Sequence, residues 1–137
     1  TLESVKAQLA GKILVDVSVP LQPPNVGTVY VPEGNAVGLE TQAFLGDSVR
    51  VVSAFQNVSA VKLKNPETVV DCDVLVCGDD ADAKAQVIEM VKATGMRGVD
   101  AGPLANAVAI EALTPVLLYI NKTYGVKGAG ITITGLE

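Results

Sequence analysis

Leu2, Val5 and Leu9 recur at helical spacing, and Gly11 stops the run, so a first helix is predicted over Thr1–Ala10. Ile13–Val19 follows at once as a strand, apolar enough to be covered on both faces and ended by Pro20. A helix feeding straight into such a strand is the second half of a parallel crossover unit. The chain is therefore expected to open partway through a parallel sheet. Four of the seven prolines fall between Pro20 and Pro32, with Gly27 and Gly34, which reads as an ordered loop. A second helix is predicted over Ala36–Leu45 with Asn35 as its cap. Arg50–Phe55 and Asp73–Cys77 read as strands. Asp79 and Asp80 suit the positive end of a helix over Ala81–Thr94, which Gly95 closes. Gly98–Asp100 is a short strand, Pro103–Tyr124 a long helix, and Gly130–Thr134 alternates as a last strand.

The long helix is the most informative element. Between Ala101 and Asn121 its only charge is Glu111, and a helix apolar nearly all round belongs inside a protein or between two of them. Pro103 suits the first helical position. Pro115 sits mid-helix, where it removes a hydrogen bond and pushes against the carbonyl of Glu111. A kink there is expected to free acceptors near Glu111 and Ala112, beside the Thr114 hydroxyl, and a ligand is one partner for them. The stretch has the length of a membrane span, but a central Glu, an Asn and two prolines favour a buried helix in a soluble protein.

Composition narrows the class. With 137 residues, 49% of them hydrophobic, the chain is long enough for one core. A net charge of −5 argues against nucleic acid or an anionic membrane as partner. No secretory signal is read ahead of the first helix, so a cytoplasmic location is expected. Cys72 and Cys77 share one strand at a spacing that neither bridges comfortably nor matches a zinc pattern, and read as buried free thiols.

Candidate chemistry is sparse. Without histidine there is no Ser-His or Cys-His nucleophile, and no metal set is assigned. The six carboxylates from Glu67 to Asp82 fit no loop pattern and read as turn residues and caps. No catalytic side chain is assigned, which is compatible with hydride transfer, where the reacting carbons belong to cofactors. Three segments are expected to converge on a cleft, because ligands in open α/β sheets bind beyond the carboxyl ends of strands. They are Ser18-Val19-Pro20, Phe55-Gln56-Asn57 with its two amides, and the helix around Glu111–Thr114, with Asn106 on a neighbouring face.

VVSAFQNVSA (51–60), DVLVCGDD (73–80), DAGPLANAVAIEALTPVLLYI (100–120) and GAGITITGL (128–136) together resemble the C-terminal part of NADPH-dependent reductases of the deazaflavin coenzyme F-420. KILVDVSVPL (12–21) resembles the last strand of that family's nucleotide-binding sheet, so the resemblance covers essentially the whole chain. It implies two cofactors, coenzyme F-420 and NADP. The family's glycine-rich NADP-binding turn is not among these 137 residues, so the resemblance implies no turnover by this polypeptide alone. Thr114, in the helical Leu-Thr-Pro triplet, resembles the position that contacts the deazaflavin. A serine often found two residues earlier is Ala112 here, and a strand-end His of relatives is Gln56, which leaves an amide hydrogen bond but no imidazole. Val19 and Pro20 resemble the lining of the nicotinamide end. Lys62 and Lys64 are candidates to meet the anionic coenzyme tail.

The expected fold is α/β: residues 1–22 close a Rossmann-like parallel sheet, and 23–137 form a small α/β domain with a long, buried, kinked helix. The expected function is the deazaflavin-binding portion of an oxidoreductase passing a hydride between NADP(H) and coenzyme F-420. The cofactor-binding candidates are Val19, Pro20, Gln56, Asn57, Asn106 and Thr114. The alternatives are a non-catalytic dimerisation domain and part of another NAD(P)-dependent dehydrogenase. A homodimer is expected, since a helix of about 22 residues spans about 33 Å and one small domain hardly covers every side of it.

Overall fold

Alternation along the central strands decides the layering. Val52, Val74 and Val76 turn to one face of a sheet, Val51, Leu75 and Cys77 to the other, as side chains two apart in a strand must. In the computed structural model, which describes residues 1–136, four strands form this sheet: β1 (Ile13–Asp16), β2 (Arg50–Ser53), β3 (Asp73–Gly78) and β4 (Arg97–Asp100). Their order is β1-β2-β3-β4. Helix α1 (Leu2–Leu9) leads into β1. Helices α2 (Val37–Leu45) and α4 (Ala81–Ala93) carry the crossovers of two parallel pairs, β1–β2 and β3–β4. A single turn, α3 (Ala60–Leu63), precedes β3, and α5 (Ala107–Tyr124) closes the order behind a 3-10 turn at Leu104–Asn106. Helix α4 covers one face through Ala83, Val87 and Val91; α2 and α5 cover the other through Leu45, Ala107 and Ile110.

The sheet is mixed, not parallel throughout. β2 and β3 run antiparallel and share only the pairs Val52↔Gly78 and Ser53↔Cys77. The carboxyl ends of β1 and β2 thus lie at one end of the sheet, those of β3 and β4 at the other.

Several local expectations are corrected. β1 ends at Asp16, not Val19, and as an edge strand it is only half-buried. Asn35 does not cap α2: it sits at φ 73°, the residue at the cap is Ala36, and no side chain of the local sequence closes that end. Pro103 precedes the 3-10 turn as its cap and does not open the α-helix itself. Gly130–Thr134 forms no strand. It docks beside β3 through the Asp73 N–H to the Ile131 carbonyl (2.8 Å) and the Ile133 N–H to Asp73 Oδ2 (2.7 Å).

Helix α5 is less enclosed than its composition suggested. Ala107, Ile110, Glu111, Pro115 and Leu117 are buried, whereas Val116, Tyr119 and Tyr124 are exposed. With its 3-10 turn it is long and apolar enough to cross a membrane by length and composition, yet its inner side packs on the sheet and α2. Asp80 caps α4 by accepting from the Ala83 N–H at 2.8 Å, as its position predicts. Both cysteines are free and buried, and burial pushes the Cys77 thiol up to about 11.

Candidate functional site

Beyond Ser53 the chain turns sharply, with Phe55 at φ 75°, a conformation that a bulky residue adopts only where its surroundings enforce it. The turn drives the next two side chains inward. The Gln56 amide donates to the Asp16 carbonyl (2.7 Å) and to Ser53 Oγ (2.8 Å). The Asn57 amide donates to the Asp73 carbonyl (2.7 Å), and its Oδ1 accepts from the Leu75 N–H (3.4 Å). Both residues are buried. Gln56 Oε1 and Asp16 Oδ2 are closed off and accept nothing among the described residues.

These residues floor a cavity of about 910 Å³ at the carboxyl ends of β1 and β2. Val17, Val19 and Leu21, which leave the sheet after Asp16, form one wall. Phe55, Val58 and α3 form a second, Leu117 and Leu118 of α5 a third, and Asn121 with Lys127–Ala129 the mouth. The size lies within the range of small-molecule sites, as does the mostly apolar lining with a few polar groups. Among the described residues, Lys62 and Lys127 are the only charged ones on the wall.

Helix α5 brings Thr114 into this cavity. The Thr114 hydroxyl donates to the Gln56 carbonyl, which leaves the lone pairs of its oxygen to accept from a ligand. One turn earlier, Glu111 is buried, and its two oxygens accept from the Val37 and Gly38 N–H groups at 2.7 and 3.0 Å. Burial pushes its carboxyl up from the usual range, against the pull of those two N–H groups. Its acidic neighbours Asp16 and Glu40 push the same way.

Of the expected site residues, the cavity gathers Val19, Gln56, Asn57 and Thr114. Pro20 follows Val19 but lies outside the wall. Asn106 is at the opposite end of the sheet, donating to the Ala101 carbonyl at 2.8 Å; eight residues of helix, about 12 Å, separate it from Thr114. Lys62 is on the wall and Lys64 is not. Sequence reasoning named Phe55 within the Gln56-Asn57 strand end and Lys62 of α3, but passed over Val17, Leu21, the rest of α3 and the 127–129 turn. The apolar run at 17–21 and the glycines at 128 and 130 were the available signals. Neither says where such a segment docks.

No family model matches the chain. The F-420-dependent NADP reductase of Methanocaldococcus jannaschii is 41% identical over 144 residues, covering 100% of this chain and 63% of its own length. That of Methanothermobacter marburgensis is 39% identical, covering 99% and 63%. The metalloreductase STEAP3 of Rattus norvegicus is 40% identical over 118 residues, 86% of this chain but 23% of its own length. Among solved structures, a candidate F-420-dependent NADP reductase from Arthrobacter sp. FB24 superposes with a TM-score of 0.80 at 27% identity, covering 96% of this chain and 61% of that one. The chain spans 63% of the length of the first two reductases. Over its whole length, then, it is homologous to the F-420-dependent NADP reductases and shares their fold.

Proposed function

We propose that the cavity seats the deazaflavin ring of coenzyme F-420, in an oxidoreductase that passes a hydride between that ring and NADP(H). The observation that carries this reading is the cavity itself. It has a floor of buried amides, three apolar walls and no negative charge, in a chain homologous to such reductases. A flat heteroaromatic ring with an anionic tail fits that combination.

The deazaflavin supplies the carbon that takes or gives the hydride, so no general acid or base is required of the protein. The residues position and exclude water. Leu117 and Leu118 line the cavity together with Val17, Val19 and Leu21 and present apolar surface to a ring. The Thr114 hydroxyl, fixed by its bond to the Gln56 carbonyl, offers an acceptor at a set point. Gln56 holds the ends of β1 and β2 together, which keeps Val17–Leu21 in place. Val19 and Pro20 continue from β1 to the side where the nicotinamide would approach. Asn57 ties the floor to β3 and needs no ligand to be satisfied.

The exposed stripe Val116, Tyr119 and Tyr124 on α5 supports a homodimer through that face. A cytoplasmic location is consistent with the archaeal reductases to which the chain is homologous.

Titration of the protein with coenzyme F-420, followed by the absorbance and fluorescence of the deazaflavin, tests the reading. Saturable binding at micromolar concentration is expected. An unchanged spectrum with folded protein in excess would leave the cavity to another ligand or to none.

A further inference from the structure

The two lysines of the cavity differ from the four cations of this acidic chain that meet carboxylates. Arg50 meets Asp80 and Asp82 at 3.7 and 3.6 Å, and Lys84 meets Asp100 at 2.9 Å. Lys92 meets Glu89 at 2.8 Å and Arg97 meets Asp73 at 2.7 Å. Lys62 and Lys127 form no ion pair among the described residues, and no carboxylate lies on the wall they share. A chain of net charge −5 has thus placed, among the described residues, only positive charge on this apolar cavity.

A close approach joins the two. Gly128 is at φ +88°, and a Cβ there would stand 2.9 Å from Lys62 Cε and 3.0 Å from Ser59 Cβ. The Lys62 stem therefore lies on the Gly128 backbone, and Lys127, one residue earlier, lines the same cavity. The sequence paired Lys62 with Lys64 as neighbours on one segment; the fold pairs it with Lys127, 65 positions away.

We propose that Lys62 and Lys127 form an anion clamp at the mouth of the cavity, which takes the phosphate and carboxylate groups of the deazaflavin's tail while the apolar walls take the ring. The clamp rests on the deazaflavin reading above and adds what selects the tailed coenzyme. Lys62, half-buried and braced on Gly128, sets the inner point; Lys127 is exposed and meets charge further out.

The test compares three ligands: coenzyme F-420, the bare deazaflavin riboside without its tail, and NADPH. Wild-type protein and the double variant Lys62→Gln/Lys127→Gln are each titrated at low and high salt. Two partly exposed pairs, each worth up to about 1 kcal/mol, correspond to a loss of up to roughly thirty-fold for the tailed coenzyme. The riboside and NADPH should be unaffected, and salt should weaken only the tailed ligand's binding to wild type. Gly128→Ala, whose methyl displaces Lys62, should reproduce part of the loss. Unchanged F-420 affinity in the double variant, with the riboside still bound, overturns the clamp and leaves the deazaflavin site standing. A loss confined to NADPH overturns the choice of tail. If wild type binds neither deazaflavin, the proposed function falls and the clamp with it.

Discussion

Glu111 closes the amino-terminal end of a helix that begins 74 positions earlier: its Oε1 accepts from the Val37 N–H at 2.7 Å, and its Oε2 from the Gly38 N–H at 3.0 Å. The local sequence at that end, Ala36-Val37-Gly38, offers no capping side chain. Glu111, the one acidic residue of α5, supplies it from across the fold, and negative charge suits the helix end.

Glu111→Ala should therefore destabilise the protein by about 1–3 kcal/mol, the cost of leaving buried donors unpaired, read as a shift in denaturant midpoint at constant slope. The pH dependence has a definite sign. Burial raises the carboxyl's pKa in the folded state, so the folded protein holds that proton more tightly than the unfolded chain. The stability gap between wild type and Glu111→Gln should widen as pH falls through the raised value, and level off below the ordinary glutamate value. A gap that narrows on acidification would contradict this.

Asp73 is the opposite case. It is paired with the Arg97 guanidinium at 2.9 and 2.7 Å and accepts from the Ile133 N–H, contacts that hold its carboxyl below the usual range. The stability it contributes is present above the ordinary aspartate value and is lost as pH falls through the lowered one. Asp73→Asn should cost about 1–3 kcal/mol, since Arg97 is partly solvated and retains its bonds to the Ile133 and Leu136 carbonyls. Hydrogen exchange at the Ile133 amide should accelerate in the variant.

Thr114→Val keeps the shape of the side chain and removes its hydroxyl. The lost bond to Gln56 should lower stability by about 0.5–1.5 kcal/mol, and the lost acceptor should weaken deazaflavin binding roughly two- to twelve-fold. Thr114→Ser should restore both. Equal affinity in Thr114→Val would assign the hydroxyl to folding alone.

Tyr119→Lys places a charge on the exposed stripe of α5, away from the core. Sedimentation should show wild type as a dimer at micromolar concentration and the variant as a monomer with an unchanged melting temperature in dilute solution. A monomeric wild type would end the homodimer reading.

Much of the secondary structure was legible because its signals are local: Asp80 and Gly95 bracket α4, and the apolar runs of β2 and β3 are bounded by turn residues. What was not legible depended on distant partners. Gly130–Thr134 alternates like a strand, yet a single backbone bond from Asp73 and the side chains of Asp73 and Arg97 hold it, so no ladder forms. The Val17–Val19 end of the predicted first strand leaves the sheet to wall the cavity. Gln56, Asn57 and Thr114 come together because strand ends and a helix passing over them share one edge. Asn106 does not, because the antiparallel joint between β2 and β3 puts the start of α5 at the far end. Glu111 was visible as an anomaly, but no local window contains the helix it caps.

Gln56 and Asn57 are adjacent in sequence and reach into different halves of the molecule, one to Asp16 and Ser53, the other to Asp73 and Leu75. The two halves meet in only two register pairs, so this dipeptide acts as a rivet through a short seam. The cavity floor is that rivet. Anything seated there bears on the weakest joint of the sheet, and occupancy and the cohesion of the whole fold become one mechanical quantity.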